Sequence, residues 1–444
     1  MKFFRLRRGG ATRVTFVNVS PEDLDAFGAV RIEGLHQEQF VRDARGNVPV
    51  SQLYPVENAV PVGTNKHLAQ SFRQSKIDRG AVSTQHFAPG LWRTFIENAA
   101  IPDGYRNAGL KYAGYVGTQR ESWCLPSWIW TNAAIVRFFC NAGEFEEAVR
   151  IADILLAKQE ETGGWIVRSD YAPNDEIPVL APNDSAYIAN NALLPMYRTT
   201  GDEKYLDAAT KCANWIRKSA RPDGLVWTGR NERTGEWLEK YTIVDTGFTA
   251  GLFAELYMLT KNERCKMFLE RFVQRFLELF YNPEARLFAT SVDFNGKQNG
   301  GHFARGQAWA LEGLIPAYKA LGAAEIEEVV EAIVRSLLQA QLANGGWAYN
   351  LSRPYYGEDC KGVPVIAKAL TEWSVLRSND RLKQSAALAL QWCEDHTRLR
   401  GPAVGGIFSY NLEGAVVHNL YTSTAFVYSS AYALETRLMV QAHD

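Results

Sequence analysis

Residues 159–165 read Gln-Glu-Glu-Thr-Gly-Gly-Trp, and residues 341–347 repeat the same turn as Gln-Leu-Ala-Asn-Gly-Gly-Trp. Related turns, rich in glycine or proline and followed by apolar residues, lie at 222–224, 283–288 and 405–408. Successive turns are 60, 62, 60 and 60 residues apart, counted between Gly164, Gly224, Arg286, Gly346 and Gly406. A fixed spacing of this length is typical of a repeated supersecondary unit.

Each repeat contains two helical patterns that differ in how much of the helix is apolar. The first, as at 184–197, carries apolar or small residues on nearly all sides and should be buried. The second, as at 144–158, has one charged face and should lie at the surface. Inner and outer helices that alternate with a constant period predict an all-α fold, an (α/α)6 toroid or barrel of helical hairpins.

The starts of these helices can be located in the sequence. Inner helices are predicted to begin near Pro126, Asp184, Asp245, Arg305, Gly362 and Thr422. Outer helices are predicted to begin near Glu144, Asp202, Asn262, Ala324 and Asp380. The apolar segment 90–100 is the predicted twelfth helix, which would close the ring.

The first part of the chain lacks this periodicity. The predicted domains are an N-terminal extension at 1–85 and the barrel at 86–444. Two short strand patterns, 12–19 and 29–32, lie in the extension among loops that contain proline and glycine. Two roles suit such an extension: a cap over the barrel, or an arm for oligomerisation.

Composition narrows the classes of partner. The chain has 48 basic and 49 acidic residues, so it offers no charge excess for nucleic acid or an anionic membrane. No apolar run is long enough to span a bilayer, and residues 1–10 lack the apolar core of a secretory leader.

Six scattered cysteines without a CxxC pair favour reduced thiols in the cytoplasm. The seven histidines are dispersed without the spacing of metal ligands, so no metal site is predicted. No other cofactor is predicted either.

The inner helices should bring polar residues together at one rim of the ring, because all six run in the same direction. Asp184 and Asp245 stand at equivalent starts, and Arg305 stands at the next. Paired carboxylates can divide acid and base work, and an arginine beside a helix start suits an anion. Aromatic rings at the same starts suit sugar faces. The competing interpretation is that each aspartate simply caps its helix.

A family resemblance appears in these same starts. Arg-Gly-Gln-Ala-Trp-Ala at 305–310 follows the Asp245 helix by one repeat, and Thr-Gly-Asp-Glu-Lys at 200–204 follows the Asp184 helix. In these features the chain resembles the unsaturated glucuronyl hydrolases of glycoside hydrolase family 88. The resemblance covers roughly residues 120–440. It implies a six-hairpin fold and an oligosaccharide substrate with a terminal unsaturated uronic acid.

The resemblance also implies roles for individual residues. Asp245 would protonate C4 of the 4,5-double bond and help water add at C5, and Asp184 would hold substrate hydroxyls and influence the pKa of its partner. Arg305 and Trp309 match the substrate-binding arginine and the stacking tryptophan of the family. The full set of predicted substrate-binding residues is Arg305, Gln307, Trp309, His302, Trp128 and Tyr187.

Two starts depart from the family pattern. The last inner helix opens on Thr-Ser-Thr-Ala-Phe-Val-Tyr at 422–428 in place of a Trp-Gly-Asp-Tyr type of segment. The fifth opens on Asp-Cys-Lys-Gly-Val-Pro at 359–364 in place of a start rich in serine and alanine. Since these positions touch the uronate in the family, the substrate can differ here.

Several functions therefore remain open at this stage. A toroid of this kind also suits a uronate polysaccharide lyase, an epimerase or a glycan assembly enzyme, because fold does not fix function. A non-catalytic glycan-binding protein would keep the aromatic residues without needing both aspartates. The repeated turn also resembles that of triterpene cyclases, but Asp359-Cys360 continues as Lys-Gly-Val, so the acidic motif of those enzymes is absent.

Overall fold

The computed structural model describes the barrel and a few short strands that precede it. The described residues are 88–105, 107–116, 122–124, 128–166, 179–237, 241–299, 301–352, 358–399, 401–408 and 424–443, with strands Phe4–Leu6, Val14–Phe16, Phe40–Asp43 and Gly46–Pro49 before them. These four strands pair as two antiparallel hairpins. The strand predicted at 12–19 is present as Val14–Phe16, whereas the one predicted at 29–32 lies outside the described residues.

Twelve helical positions form a closed ring within the described residues. The inner helices are Thr131–Asn141, Pro182–Ile188 continued through a π turn (Ala189–Leu193) into Leu194–Thr200, Phe248–Thr260, Ala304–Leu321, Val363–Arg377 and Val427–His443. The outer helices are Phe145–Ala157, Glu203–Lys218, Glu263–Phe280, Ala324–Ala340, Asp380–Asp395 and Ala88–Asn98. Each inner helix packs against the next, and the last packs against the first. The (α/α)6 toroid is confirmed.

The helix predicted to close the ring does so. Ala88–Asn98 packs on Val427–His443, in the same way that every other outer helix packs on an inner partner. Trp92 of this helix is fully buried and donates a hydrogen bond to the Thr397 hydroxyl, 2.7 Å away. The first described helix is therefore the outer partner of the last inner one.

The repeated turns fix the spacing between neighbouring hairpins. Gly163, Gly345 and Gly405 have φ values of +113°, +92° and +86°, which favour glycine. A Cβ on Gly345 would lie 2.1 Å from the carbonyl oxygen of Leu388, on the next outer helix. A Cβ on Gly405 would lie 1.8 Å from that of Leu91, so the same contact recurs where the ring closes. Only glycine lets the turn approach this backbone.

The other residues of the repeated turn are structural as well. The Gln341 amide donates to the carbonyl oxygens of Gly345 and Ser385, at 2.9 and 3.0 Å, and so joins the turn to the next outer helix. The buried Trp347 indole donates to the Leu337 carbonyl oxygen of its own outer helix, 2.8 Å away. Gln159 and Trp165 make the equivalent bonds in the earlier repeat. The motif is thus a device for packing helices.

Small sheets surround the end of the ring at which the inner helices begin. Thr424–Phe426, Gly114–Val116 and Ser122–Cys124 form one antiparallel sheet, and Tyr241–Ile243 pairs with Ser291–Asp293 in another. The last inner helix consequently begins at Val427, later than predicted, because the strand Thr424–Phe426 comes directly before it. The first inner helix begins at Thr131, after a turn that contains Trp130. The predicted starts Pro126 and Thr422 lie outside the described residues.

Two further predictions from the sequence concern membrane-spanning segments and the state of the cysteines. Within the part of the chain that the structure describes, no helix is both long and apolar enough to cross a membrane. Five cysteines have described side chains, and all five are free thiols: Cys140, Cys212, Cys265, Cys360 and Cys393.

Candidate active site

The N-terminal ends of the inner helices meet around one buried amine, that of Lys361. Its side chain is 1% exposed, and it interacts electrostatically with Arg305, Asp359, Asp245 and Asp184. Asp184, Asp245 and Arg305 belong to three successive inner helix starts. Each of these three predicted residues therefore lies near enough to Lys361 to interact with it electrostatically.

Aromatic rings surround this amine. The Lys361 Nζ atom lies 4.9–5.5 Å from the ring centroids of Trp128, Trp130, Trp309, Phe426 and Tyr428. We call these five rings the aromatic cage. Trp128 stacks on two of its neighbours in the cage, with centroids 6.0 Å from Trp130 and 6.2 Å from Phe426. Burial in the cage, together with the nearby charge of Arg305, lowers the pKa of Lys361 well below its ordinary value.

Neither predicted catalytic aspartate is the N-cap of its helix. Asp184 lies in the first turn of a helix whose N-cap residue is Ala181, and Asp245 lies in a 3₁₀ turn whose N-cap residue is Ile243. Neither start has a side-chain capping hydrogen bond. Polar N-caps occur instead on outer helices, where the side chains of Asp202, Asn262 and Asn379 accept from the backbone N–H groups of Lys204, Arg264 and Arg381. Capping thus does not account for the two carboxylates.

The two carboxylates differ in their access to solvent. Asp184 is 4% exposed, whereas Asp245 is half-buried. Phe248, one turn after Asp245, packs its ring against Tyr187 and Trp309, with centroids 4.6 and 5.9 Å apart. The aromatic wall of the site is therefore continuous from one aspartate helix to the next.

Arg305 is held inside the protein by an ion pair and by aromatic rings. Its Nη1 lies 3.4 Å from Oδ2 of Asp359, and its Nη2 donates to the Tyr349 hydroxyl, 2.5 Å away. The guanidinium carbon lies 4.4, 4.8 and 5.3 Å from the ring centroids of Tyr349, Phe303 and Trp309. Burial raises the pKa of Asp359 in spite of this pairing.

Gly362, close after Asp359 in the sequence, leaves room for the ion pair between Asp359 and Arg305. A Cβ on Gly362 would lie 2.5 Å from Oδ2 of Asp359 and 2.9 Å from Cβ of Arg305. The residue before the fifth inner helix must therefore lack a Cβ.

The Gln307 side chain forms hydrogen bonds with the backbone of the protein itself. Its amide oxygen accepts from the Phe288 backbone N–H at 2.7 Å, and its nitrogen donates to the carbonyl oxygens of Phe288 and Phe303 at 2.9 and 3.1 Å. The residue is fully buried. We do not include Gln307 among the substrate contacts, because both ends of its amide are occupied by the backbone.

The remaining predicted residues divide between the cage and its surroundings. Trp128 and Trp309 belong to the cage. Tyr187 lies next to it, with its ring 5.3 Å from that of Trp130, but its hydroxyl is 2.6 Å from the Tyr432 hydroxyl inside the helix bundle. His302 is half-buried before the Arg305 helix and contacts the Ser352 hydroxyl through Nδ1, and burial lowers its pKa.

A second group of aromatic residues lies on the rim. Trp227 and Trp237 stack with centroids 5.6 Å apart, and Phe294 packs against Trp227 at 6.0 Å. The Arg221 guanidinium lies 5.5 Å from the Trp227 ring centroid and 4.7 Å from that of Phe294, and it donates to the hydroxyl of Thr242, on the strand that leads to Asp245. We call Trp227, Trp237 and Phe294 the rim platform. Phe294 is 48% exposed, so the platform is open to solvent.

A separate cavity of about 260 Å³ lies towards the other end of the inner helices. Its charged residues pair with one another: Arg137 with Glu435 at 2.9 Å, Lys368 with Glu372 at 2.6 Å, and Arg198 with Glu255. These ion pairs join neighbouring inner helices or successive turns of one helix. We therefore interpret this region as structural.

Comparison with known protein families shows which family this chain belongs to. Residues 127–372, more than half of the chain, match the model of Glycosyl Hydrolase Family 88. The chain belongs to glycosyl hydrolase family 88. No protein with a curated description is similar enough to this family 88 chain to count as a match.

Solved structures agree on the fold of this family 88 protein. An unsaturated glucuronyl hydrolase specific for heparin is 16% identical, with a TM-score of 0.62 over 80% of this chain and 96% of its own. The unsaturated glucuronyl hydrolase of Bacillus sp. GL1 is 14% identical, with a TM-score of 0.59 over 79% and 95%. Cellobiose 2-epimerase from Spirochaeta thermophila is 13% identical, with a TM-score of 0.63 over 86% and 100%. At these identities the likeness shows the six-hairpin toroid alone.

Several residues of the site had no predicted role. Asp359, Lys361, Trp130, Phe426 and Tyr428 lie at or just before inner helix starts that the sequence identifies, but no function was predicted for them, and Tyr349 was not identified at all. One feature of the sequence could have indicated Lys361. It stands just before the fifth inner helix, and Asp184, Asp245 and Arg305 occupy similar positions at the starts of their own inner helices.

Proposed function

We propose that this family 88 protein hydrates the 4,5-double bond of a terminal unsaturated uronic acid and so releases that sugar from an oligosaccharide. One observation carries the proposal: Asp184 and Asp245, from adjacent inner helices, both interact electrostatically with the buried amine of Lys361 at the centre of an aromatic cage. Two carboxylates supply proton transfer, the rings suit the faces of a sugar, and basic groups suit its carboxylate.

The chemistry needs two proton movements at one ring. A carboxylic acid gives its proton to C4, and water adds at C5 while a carboxylate removes the water's proton. The resulting C5 hemiketal then opens to a C5 ketone, with the hydroxyl proton passing to the former ring oxygen, so that C1 becomes a hemiacetal. Collapse of this hemiacetal to the C1 aldehyde breaks the bond to the neighbouring sugar, which leaves as an alcohol. Asp245 is proposed as the proton donor and Asp184 as its partner. Burial gives a physical reason to test the reverse assignment, because the less exposed Asp184 is the carboxylate in the drier environment.

The rim platform supports an oligosaccharide substrate. Trp227 and Trp237 present flat rings at the rim, next to the strand that leads to Asp245. We propose that the sugar on the leaving side stacks there. The substrate is thus expected to span from the cage to the rim.

Absorbance in the near ultraviolet tests the proposed function, because an unsaturated uronide absorbs there and its hydrated product does not. The wild-type protein should remove the band from an unsaturated uronic disaccharide. Asp184→Asn and Asp245→Asn should each slow the decay by about 10²–10⁴ fold, the usual contribution of a general acid or base. A band that increases on an intact polysaccharide would identify a lyase, and a band that never changes would leave a binding protein.

A further inference from the structure

A chain of three buried polar side chains links alternate helices of the inner ring. The Tyr187 and Tyr432 hydroxyls lie 2.6 Å apart, and the Tyr432 hydroxyl donates to the Glu312 carboxylate. Tyr187, Tyr432 and Glu312 belong to the second, sixth and fourth inner helices, so these bonds do not simply join neighbours in the ring. Tyr187 is 1% exposed and Tyr432 is fully buried, which shields both bonds from water.

The direction of the bonds follows from the carboxylate. Because the Tyr432 hydroxyl gives its proton to Glu312, Tyr187 is the donor in the bond between the two hydroxyls. The Tyr187 hydroxyl therefore points away from the mouth of the site, and its position is fixed from inside the bundle.

The Tyr187 ring connects the two aspartate-bearing segments. Tyr187 follows Asp184 by three positions, and Phe248 follows Asp245 by three positions. Each ring therefore lies about one turn further into the barrel than the aspartate of its own segment. The two rings contact each other with centroids 4.6 Å apart, and the Tyr187 ring also meets Trp130 of the cage at 5.3 Å.

The helix that carries Asp184 is not continuous beyond Tyr187. The π turn Ala189–Leu193 follows, and such turns interrupt regular α-helical bonding and are frequent at functional sites. Inside this turn, Asn191 donates to the Tyr187 carbonyl oxygen, 3.1 Å away, and accepts from Arg137 of the first inner helix. The short segment that contains Asp184 is thus held by side chains from other inner helices.

We propose that Tyr187 is a positioning residue, which sets the separation of Asp184 and Asp245. Its hydroxyl is anchored by Tyr432, and the anchored ring fixes Phe248 and the turn that carries Asp245. This role rests on the proposed function only for the reaction that the two aspartates carry out. It takes the place of the substrate-binding role that the sequence predicts for Tyr187.

Steady-state kinetics on the ultraviolet band test this role. Tyr187→Phe and Tyr432→Phe each keep the ring and remove one hydroxyl of the chain. Since misplacing reacting groups by about 1 Å can cost about 10² fold, kcat for an unsaturated uronic disaccharide should fall at least about tenfold in each variant. KM should stay within about twofold, because neither hydroxyl touches the sugar. The double variant should be no slower than the slower single variant, because both changes break the same chain.

A buried tyrosine on an outer helix provides the control. Tyr205 is 1% exposed, and its hydroxyl donates to Asp153, 2.7 Å away. Tyr205→Phe should lower the melting temperature, as loss of a buried hydrogen bond does, and leave kcat and KM unchanged. Wild-type kcat in both Tyr187→Phe and Tyr432→Phe would overturn the positioning role. A rise in KM without a fall in kcat would overturn it too, because Tyr187 would then bind the sugar.

Crystal structures supply a readout that needs no catalysis. Active sites tolerate displacements of about 0.5 Å, so the distance between the Asp184 and Asp245 carboxylates should change by more than this in Tyr187→Phe or Tyr432→Phe. An unchanged distance in both variants would overturn the role of Tyr187.

The two proposals can fail separately. If the wild-type protein leaves the ultraviolet band intact, the hydration reaction is wrong, and the distance between the two carboxylates still decides the role of Tyr187. If the band decays and both phenylalanine variants match the wild-type protein in kcat and in that distance, the hydration reaction stands and the role of Tyr187 is wrong.

Discussion

Arg305 and Asp359 form an ion pair across two neighbouring inner hairpins, with Nη1 and Oδ2 3.4 Å apart and both side chains at most 1% exposed. The sequence places Arg305 at a helix start suited to binding an anion, and the structure supplies that anion from within the chain. A buried pair of this kind is costly to break, since the remaining charge has no water to replace its partner.

The first prediction concerns this pair. Asp359→Ala should lower the free energy of unfolding by about 3–5 kcal/mol, because the guanidinium stays buried without its carboxylate. In the exposed pair of Arg275 and Glu278, 2.9 Å apart, Glu278→Ala should cost at most about 1 kcal/mol. Urea denaturation of both variants provides the measurement. Similar losses at the two sites would show that the Arg305 pair is not buried as described.

Closure of the ring predicts an asymmetry between two glycines in one turn. Gly401 and Gly405 both have positive φ, at +79° and +86°. A Cβ on Gly401 meets only the end of the Arg398 side chain at 3.9 Å, whereas one on Gly405 would collide with the Leu91 carbonyl oxygen. Gly401→Ala should therefore cost about 1–2 kcal/mol, the price of the backbone conformation.

Gly405→Ala should exceed the range of about 0.5–3 kcal/mol that is usual for single substitutions, because it separates the first outer helix from the last turn. Thermal unfolding of the two alanine variants, compared at one pH, measures the difference. Equal effects would mean that 88–98 does not close the ring.

The buried Glu312 predicts a pH dependence of stability. Glu312 accepts from the Tyr432 hydroxyl, and its carboxylate lies 3.5 Å from Arg137. Burial raises the pKa of Glu312 above its ordinary 4.5 in spite of that arginine. The folded state therefore holds this proton to higher pH than the unfolded state, so the contribution of Glu312 to stability is fully present below about 4.5 and is lost as pH rises through the folded pKa.

Glu312→Gln removes this titration and keeps an oxygen to accept from Tyr432. The difference in melting temperature between the wild-type protein and the variant should therefore shift in favour of the variant as pH is raised from 4.5. A series of melting curves across this range provides the test. A shift in favour of the wild-type protein would mean that attraction to Arg137 outweighs burial.

The rim platform predicts a dependence on substrate length. Trp227→Ala should raise KM several-fold for an unsaturated uronic disaccharide, because the leaving sugar loses its stacking surface. KM for the methyl glycoside of the same unsaturated acid, which has no second ring, should not change. Equal effects on both substrates would show that Trp227 acts through the fold of the rim.

Much of the architecture could be read from the sequence because it is local and repeated. The spacing from Gly164 to Gly406 reflects a turn that must be glycine in several repeats, and the charged faces mark the outer helices. Helix starts near Asp202 and Asn262 were located to within one residue because those side chains cap their helices. Local chemistry of this kind is visible without coordinates.

The contents of the site could be predicted only in part. The period predicts that Asp184, Asp245 and Arg305 lie at one mouth, but it cannot show how these side chains pair with others. The Arg305–Asp359 pair joins residues 54 apart, so Arg305 turns inward and Lys361 takes the centre. Gln307 belongs to the family motif, yet its bonds run to the backbone of Phe288. These outcomes depend on packing between hairpins.

The central claim is that the two aspartates promote hydration of a double bond, and it is tested most directly by the fate of a proton. The reaction of an unsaturated uronic disaccharide in D₂O, followed by nuclear magnetic resonance of the released acid, should show deuterium at C4. Both Asp184→Asn and Asp245→Asn should form this product far more slowly. Release of the sugar without deuterium at C4, or at an undiminished rate in either variant, would contradict the account.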